Sequence, residues 1–418
     1  MRTGNDQRPS LLWLAEAGRL VLGFTVLATL SRLTSAETLG AYLSIVSIAS
    51  IAPRLLDLGL PMAIGYFLRL KPGGLRPCAR LLARHLALAT PGAVALALAL
   101  TVYPFEGAAA SQLAASHWPQ VSLLVLSELV LLLGMATFIP TTRYRAYLVS
   151  ALLPSSIMLG GLALHLLTQP LEPVHAGNLL NLLASATTAG AVFVLLAVRR
   201  ASRQGSEKPL APDAVYRYGL RTYASALPKI LAQRFDRLYL STVLGSAGYA
   251  EYSIGVSIRD MVTFPANLYS LTLRNRQIDL VGRQHDVPAA RRLLLRSSAL
   301  WMLGYTTLAA IASPFWGPVT KLALGHAMGP TADYARVLVF SCGPLAVMSF
   351  AWNHLYALNR PGRVTLLTVG SLALALPLFA LAVEWAGASH GAAYANVAWA
   401  ALGAAASLSL AAASHPPE

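Results

Sequence analysis

Long apolar stretches recur along the whole chain and limit what it can fold into. Twelve of them approach or exceed the roughly 20 residues that a helix needs to cross a bilayer. They lie at 11–33, 37–68, 80–103, 118–140, 146–168, 176–198, 217–243, 248–274, 294–320, 335–358, 364–386 and 389–413. Only 12% of the 418 residues are charged, about half the share of a soluble domain. The sequence therefore predicts an all-α polytopic membrane protein and excludes an ordinary soluble enzyme.

The basic residues punctuate the apolar stretches and predict an orientation. With the N-terminus in the cytoplasm, 23 Lys and Arg fall in cytoplasmic segments and three, Arg32, Lys321 and Arg336, on the other side. This bias predicts about 12 spans in the cytoplasmic (inner) membrane, with both termini cytoplasmic. It also accounts for the net charge of +15 without a nucleic-acid partner.

The longest polar connection predicts two halves of six helices each. We predict an N-terminal bundle over 1–198, a cytoplasmic linker over 199–216 and a C-terminal bundle over 217–418. A faint repeat supports this division: residues 40–50 and 250–260 align at an offset of 210 and share Tyr42/Tyr252 and Ser47/Ser257. Such pseudo-symmetry is typical of transporters built from two repeats.

Charged side chains lie inside the predicted spans, where each costs about 2.5–3.5 kcal/mol. All but Glu128 belong to the first two spans of each half. They are Glu16, Arg19, Arg54, Asp57, Glu128, Lys229, Arg234, Asp236, Arg237, Arg259 and Asp260. This clustering predicts that spans one, two, seven and eight line a shared polar space, while the other spans face lipid and one another.

Helical spacing places several of these groups on polar stripes, which must face protein or water because lipid cannot solvate them. The stripes are Ser44, Ser47, Ser50, Arg54 and Asp57 in span two, Lys229, Gln233 and Asp236 in span seven, and Ser253, Ser257 and Asp260 in span eight.

Simpler interpretations stay open for some of the charges. Arg54 and Asp57 have the spacing of a self-neutralising pair, and so do Glu16 and Arg19, which lie close enough to the membrane surface to reach water. Arg237 has an interfacial alternative. Arg259 and Asp260 are adjacent and point about 100° apart, so they are not expected to face one partner.

The eleven charges sum to +1, which favours an anionic cargo. The chain contains no GxxxxGK[ST], HExxH, GxSxG or GxGxxG motif, and its two cysteines, Cys78 and Cys342, are far apart. We therefore expect neither catalysis nor a cofactor nor a metal.

Three segments resemble the polysaccharide transporter family, which includes the O-antigen and exopolysaccharide flippases of the multidrug/oligosaccharidyl-lipid/polysaccharide exporter superfamily. SAETLGAYLSIVSIASIAPRLLDLGLPMAIGYFL (35–68) is similar to the family's second-span signature. YGLRTYASALPKILAQRFDRLYLSTVLGSAGYAEYSIGVSI (218–258) and LYALNRPGRVTLLTVGSLALALPLFAL (355–381) resemble its span-seven and span ten–eleven patterns. Gly40 of the first half corresponds to Ala250 in the second, which departs from the repeated pattern.

The resemblance implies two pseudo-symmetric six-helix bundles around a central cavity, and an undecaprenyl-pyrophosphate-linked oligosaccharide flipped to the outer leaflet by alternating access. The pyrophosphate would be held by Arg19, Arg54, Lys229, Arg234 and Arg259. Asp57, Glu128, Asp236 and Asp260 would position these cations or couple transport to an ion gradient. Expected partners are this lipid-linked substrate, membrane lipids, and a polysaccharide polymerase with its chain-length partner, and the chain is expected to act as a monomer.

Two other functions stay open. A multidrug or organic-cation antiporter of the same superfamily would need carboxylates to dominate the cavity. A membrane polysaccharide polymerase or glycosyltransferase would be expected to carry a large external loop, and no predicted outer loop exceeds about 20 residues.

Overall fold

A computed structural model gives the fold of this chain and describes residues 10–70, 75–106, 108–169, 174–203, 211–282, 284–325 and 329–414. These residues form α-helices joined by short connections, with one 3₁₀ turn at Ser313–Phe315. They divide into two compact units. The first unit holds the described residues up to Ala224 together with Gly245–Ala247, and the second holds Ser225–Leu244 and the described residues from Gly248 onward.

The first unit contains both long helices and short ones. They are α1 (Ser10–Leu33), α2 (Ala36–Ala49), α3 (Ala52–Leu56), α4 (Leu60–Leu70), α5 (Leu75–Thr101), α6 (Ala108–Ser116), α7 (Trp118–Phe138), α8 (Tyr144–Thr168) and α9 (Ala176–Arg203). Helix α10 (Pro212–Leu240) begins in this unit and ends in the second.

The second unit continues with α11 (Ser246–Gly282), whose first two residues belong to the first unit, and with α12 (Val287–Ala312), α13 (Trp316–Leu324), α14 (Thr331–Val339), α15 (Cys342–Ala357), α16 (Pro361–Ala386) and α17 (Ala388–Ala412). Its core is fixed by indole hydrogen bonds between helices. Trp352 Nε1 of α15 donates to Ser407 Oγ of α17 at 3.1 Å, and Trp399 Nε1 of α17 donates to Ser371 Oγ of α16 at 2.8 Å. These bonds satisfy polar atoms that lipid could not solvate.

Each of the twelve predicted spans is helical, which confirms the all-α membrane fold. Among the described residues, eight helices are long and apolar enough to cross a bilayer, or nine if α14 and α15, bent by 42°, form one span. Helices α10, α11 and α12, which contain both charged and uncharged polar residues, are not among them. Their crossing stays a prediction, as does the side of the membrane on which the termini lie; residues 1–9 and 415–418 are outside the described residues.

The predicted second span, 37–68, is not one helix. The helix breaks after Ala49 and again between Leu56 and Leu60. At the second break Asp57 Oδ1 accepts a hydrogen bond from Gly59 N at 2.7 Å, and Leu58 and Gly59 have positive φ angles of 48° and 72°. The predicted stripe from Ser44 to Asp57 therefore does not lie on one continuous helix. The helix breaks after Ala49, and Asp57 lies in the turn that follows Leu56.

The turn at Gly59 packs against the beginning of α10. A Cβ at Gly59 would lie 2.1 Å from the carbonyl oxygen of Gly219, so only glycine fits here. Tyr223 OH donates to Leu55 O at 2.9 Å and fixes the same junction. The break in the second span thus provides a docking site for α10 within the first unit.

The predicted linker, 199–216, is helical at both described ends, since α9 continues to Arg203 and α10 begins at Pro212. Residues 204–210 lie outside the described residues. The predicted spans end where hydropathy falls. The helices extend beyond these points, because backbone hydrogen bonds can continue through a polar segment.

The beginnings of two helices agree with the sequence repeat. Helix α2 begins at Ala36 and α11 at Ser246, which are 210 residues apart, the offset of the aligned segments. The equivalence ends downstream, because α2 breaks after 14 residues while α11 runs for 37.

Candidate functional site

A buried carboxylate on α10 organises the charged groups of the second unit. Asp236 is 1% exposed, and its Oδ2 accepts hydrogen bonds of 2.9 Å from both Tyr252 OH and Asn396 Nδ2. Its Oδ1 accepts from the backbone N of Arg237 at 2.8 Å. Asp236 therefore ties α10 to α11 and α17, and its charge is held by neutral donors.

Asn396 connects Asp236 to the first of three arginines. While its amide nitrogen donates to Asp236, its Oδ1 accepts from Arg259 Nη1 at 2.9 Å. Arg259 Nε and Nη2 then donate to Asp260 Oδ1 at 3.1 and 2.7 Å. The guanidinium is thus fixed between an amide and a carboxylate.

Adjacent Arg259 and Asp260 were not expected to face one partner, and beyond their contact with each other they have different partners, Asn396 and Arg237. They pair with each other, and Asp260 Oδ2 also accepts from Arg237 Nη2 at 3.1 Å. The 100° between successive residues describes the Cα–Cβ directions, whereas the long arginine side chain can fold back to its neighbour. The Arg237 side chain is only 11% exposed, and its interfacial alternative stays open.

The remaining cation of this cluster is Arg234, half-buried on α10 within electrostatic range of Arg237, Asp260, Asp236 and Arg259. It makes no hydrogen bond or ion pair in the described part of the chain. Arg237 Nε is also buried without an acceptor there. We call Arg234, Asp236, Arg237, Arg259 and Asp260 the arginine cluster; three cations and two carboxylates give it a net charge of +1.

The other predicted cation of α10, Lys229, has an aromatic partner. Its Nζ lies 4.6 Å from the centroid of the Trp352 ring on α15, a cation–π contact. The indole is buried and fixed by Ser407. The ring face stabilises the ammonium group without neutralising its charge, so Lys229 keeps its ability to bind an anion.

In the first unit, the predicted cation Arg19 forms a surface pair. Arg19 Nη2 donates to Glu16 Oε2 at 2.8 Å, and the Arg19 side chain is 55% exposed. Glu16 is the more buried partner and also accepts from Tyr147 OH of α8. The structure thus matches the self-neutralising alternative for this pair and leaves Arg19 at the surface of its unit.

Arg54 and Asp57, the other predicted pair, make no ion pair with each other within the described residues. Arg54 is exposed, while Asp57 is buried in its turn. Arg54 nevertheless lies within electrostatic range of Asp57 and of the half-buried Glu128 on α7. Together with Arg19 and Glu16 these charges sum to −1, so the excess of cations lies in the second unit.

The sequence analysis missed the neutral residues that fix the charges. Asn396 and Trp352 lie in spans that were expected to face only lipid and other apolar spans, and that expectation is wrong for α15 and α17. A single amide among the apolar residues of α17 was the available signal, because a buried amide in a membrane helix needs partners.

The polar chamber that the sequence predicts between the two halves stays a prediction. No group of three or more His, Cys, Asp or Glu that could hold a metal occurs among the described residues.

Comparisons with known proteins identify the fold. No protein-family model and no curated protein matches the chain. Among solved structures, an inward-facing multidrug resistance MATE family transporter of the MOP superfamily matches with a TM-score of 0.70 and 14% identity, over 94% of this chain and 93% of that one. A mutant of the Vibrio cholerae MATE transporter VcmN matches at 0.64 and 13%, over 96% and 94%.

A third structure of the same superfamily comes from Pyrococcus furiosus. It matches with a TM-score of 0.61 and 13% identity, over 96% of this chain and 94% of that one. That protein is described as having a binding pocket of reverse polarity, which suggests a different function for it. The agreement over nearly the whole length shows that this chain has the fold of MOP-superfamily transporters.

Proposed function

We propose that this chain is an alternating-access transporter that flips an undecaprenyl-pyrophosphate-linked oligosaccharide from the inner to the outer leaflet of the cytoplasmic membrane, for cell-surface polysaccharide synthesis. The transporter fold supports the transport step, and the sequence resemblance to polysaccharide flippases supports the cargo. The observation that carries the proposal is the arginine cluster, with its net charge of +1 and with Arg234, which has no hydrogen-bond or ion-pair partner among the described residues.

Arginines suit a pyrophosphate because their planar donors match two phosphate oxygens at once. Arg259 and Arg237 are held in the second unit by Asn396 and Asp260, so they need little ordering when an anion arrives. Arg234 and the Nε of Arg237 supply donors that the described residues leave unused. Lys229 adds a further positive charge on α10, in addition to those of Arg234 and Arg237.

Asp260 acts in this proposal as an internal counter-ion. Its side chain is 43% exposed, whereas those of Arg237 and Arg259 are only 11% and 7% exposed. The carboxylate is therefore the accessible partner of both ion pairs. A phosphate would displace it, and its return would favour release of the cargo after translocation.

Reconstitution tests the proposal directly. Purified protein in liposomes is supplied with a fluorescently labelled undecaprenyl-pyrophosphate oligosaccharide, and the label reaching the opposite leaflet is quantified. We expect translocation by the wild type and its loss in a Arg234→Gln/Arg237→Gln variant, but not in Arg221→Gln, an exposed arginine of α10 outside the cluster. Absence of translocation by the wild type, or equal rates in all three proteins, contradicts the proposal.

A multidrug or organic-cation antiporter is the second candidate. It is favoured by the multidrug resistance transporter among the structural neighbours and by the −1 balance of the five charges predicted inside the spans of the first unit, Glu16, Arg19, Arg54, Asp57 and Glu128. Two carboxylates of the first unit argue against this candidate, because they already have partners. Asp57 accepts a hydrogen bond within its own turn, and Glu16 binds Arg19 and Tyr147. Drug susceptibility of cells with and without the protein separates the candidates: the flippase proposal predicts no change.

A polysaccharide polymerase or glycosyltransferase is the candidate from another class. The same liposomes distinguish it, because elongation would increase the mass of the labelled oligosaccharide whereas flipping leaves the mass unchanged. We expect unchanged mass.

A further inference from the structure

Away from the charged groups described above, the first unit contains an open groove between α5, α7 and α9. Its volume is about 410 Å³, within the ~300–1,000 Å³ range of small-molecule sites. Its walls include Leu86 and Ala83 of α5, Leu133 and Gly134 of α7, and Leu195 of α9. Apolar walls that are open at the side of membrane helices suit a hydrocarbon chain.

One end of this groove is basic. Arg76 and Arg80 lie in the first two turns of α5, and Arg199 lies near the end of α9. All three line the groove, and no carboxylate is among its lining residues. They also belong to segments whose positive charge predicts a cytoplasmic location. The groove thus combines apolar walls with a cationic rim at the end predicted to lie at the inner leaflet.

We propose that this groove binds an anionic phospholipid of the inner leaflet, with an acyl chain along the apolar walls and the phosphate at Arg80 and Arg199. Charge complementarity selects this occupant, because Arg80 and Arg199 line the groove with no carboxylate among its lining residues, and a zwitterionic lipid has no net negative charge to match them. Basic pockets between membrane helices on the cytoplasmic side commonly hold anionic headgroups. This site lies wholly in the first unit, and the inference does not depend on the cargo proposed above.

The chain offers closely matched variants for a test. Arg84 and Arg200 lie on the same two helices, are exposed like Arg80 and Arg199, and do not line the groove. For the apolar part, Ala83 lines the groove, whereas Ala87, one turn further along α5, is equally exposed and does not. Exposed positions tolerate such changes without disturbing a packed core.

Binding to the delipidated full chain in detergent is measured by native mass spectrometry with dioleoylphosphatidylglycerol and dioleoylphosphatidylcholine. We expect one tightly held phosphatidylglycerol and a preference for it over phosphatidylcholine. Arg80→Gln/Arg199→Gln should weaken phosphatidylglycerol binding by about 30-fold, as two membrane-surface arginines are expected to contribute. Arg84→Gln/Arg200→Gln should leave it within about threefold of wild type. Ala83→Trp should lose the bound lipid, and Ala87→Trp should retain it.

Three results overturn the inference. Equal binding of both phospholipids would contradict a contact between the groove and an anionic headgroup. Equal losses of phosphatidylglycerol binding in the two arginine double variants would show a non-specific charge effect. Displacement of phosphatidylglycerol by equimolar undecaprenyl phosphate assigns the groove to the cargo's own lipid instead. The readout is binding alone, so a failure here is distinct from a failure of transport.

Discussion

Asp260 Oδ1 lies 2.7 Å from Nη2 of Arg259, the residue that precedes it in α11. The pair is asymmetric, since the arginine side chain is buried and the carboxylate is half exposed. Because the carboxylate is the exposed partner, an incoming anion can replace it as the partner of Arg259. A change of Asp260 therefore tests the proposed anion site most directly.

Replacement of Asp260→Asn should tighten the binding of inorganic pyrophosphate by about tenfold or more. Removal of one negative charge about 10 Å away contributes about 1.7 kcal/mol at an effective dielectric constant near 20, and closer contact contributes more. Isothermal titration calorimetry on the detergent-purified protein measures the change. Glu251→Gln, which removes a half-buried charge from the same helix outside the cluster, should bind like wild type. Weaker binding by Asp260→Asn would contradict the counter-ion role.

Replacement of Arg234→Gln should weaken pyrophosphate binding by about 10–100-fold, the effect of losing a charge-assisted hydrogen bond. Because Arg234 has no ionic partner within the described residues, the melting temperature should stay near that of wild type. Titration and thermal unfolding of one preparation give both values. A large loss of stability with unchanged affinity would show instead that Arg234 is structural.

Replacement of Lys229→Ala should abolish glycan display at the cell surface while the amount of protein in the membrane stays normal. Lys229→Arg, which keeps the charge over the Trp352 ring, should retain partial display. Surface glycan staining with immunoblotting of membranes measures both quantities. Normal glycan display in Lys229→Ala would show that Lys229 does not contribute to the anion site.

Replacement of Asn396→Leu should destabilise the protein by about 1–3 kcal/mol, because Asp236 and Arg259 each lose one buried hydrogen bond. Thermal unfolding in detergent reports the loss. Tyr394→Phe, at an exposed position two residues earlier, should unfold like wild type. An unchanged melting temperature in Asn396→Leu would mean that the bridge contributes little.

Replacement of Gly59→Ala should destabilise the first unit by about 1–3 kcal/mol, since alanine disfavours its φ of +72° and its Cβ would meet Gly219. Gly65→Ala is the matched control, because Gly65 lies in α4 with no atom within 4 Å of an added Cβ. Helix propensity makes that change neutral or slightly stabilising. Similar melting temperatures for the two variants would contradict the close approach.

The sequence by itself determined the helical membrane fold, the approximate positions of twelve helices and the presence of charged groups on α10 and α11. These follow from apolar length and from the cost of burying charge, which are local properties of the chain. Only the tertiary structure decided which charges are compensated. Asp236 meets Asn396 from 160 residues away, Lys229 meets Trp352, and Asp57 forms a turn where spacing suggested a stripe. Partners so distant in the chain leave no periodic signal, because their contact depends on how the helices pack.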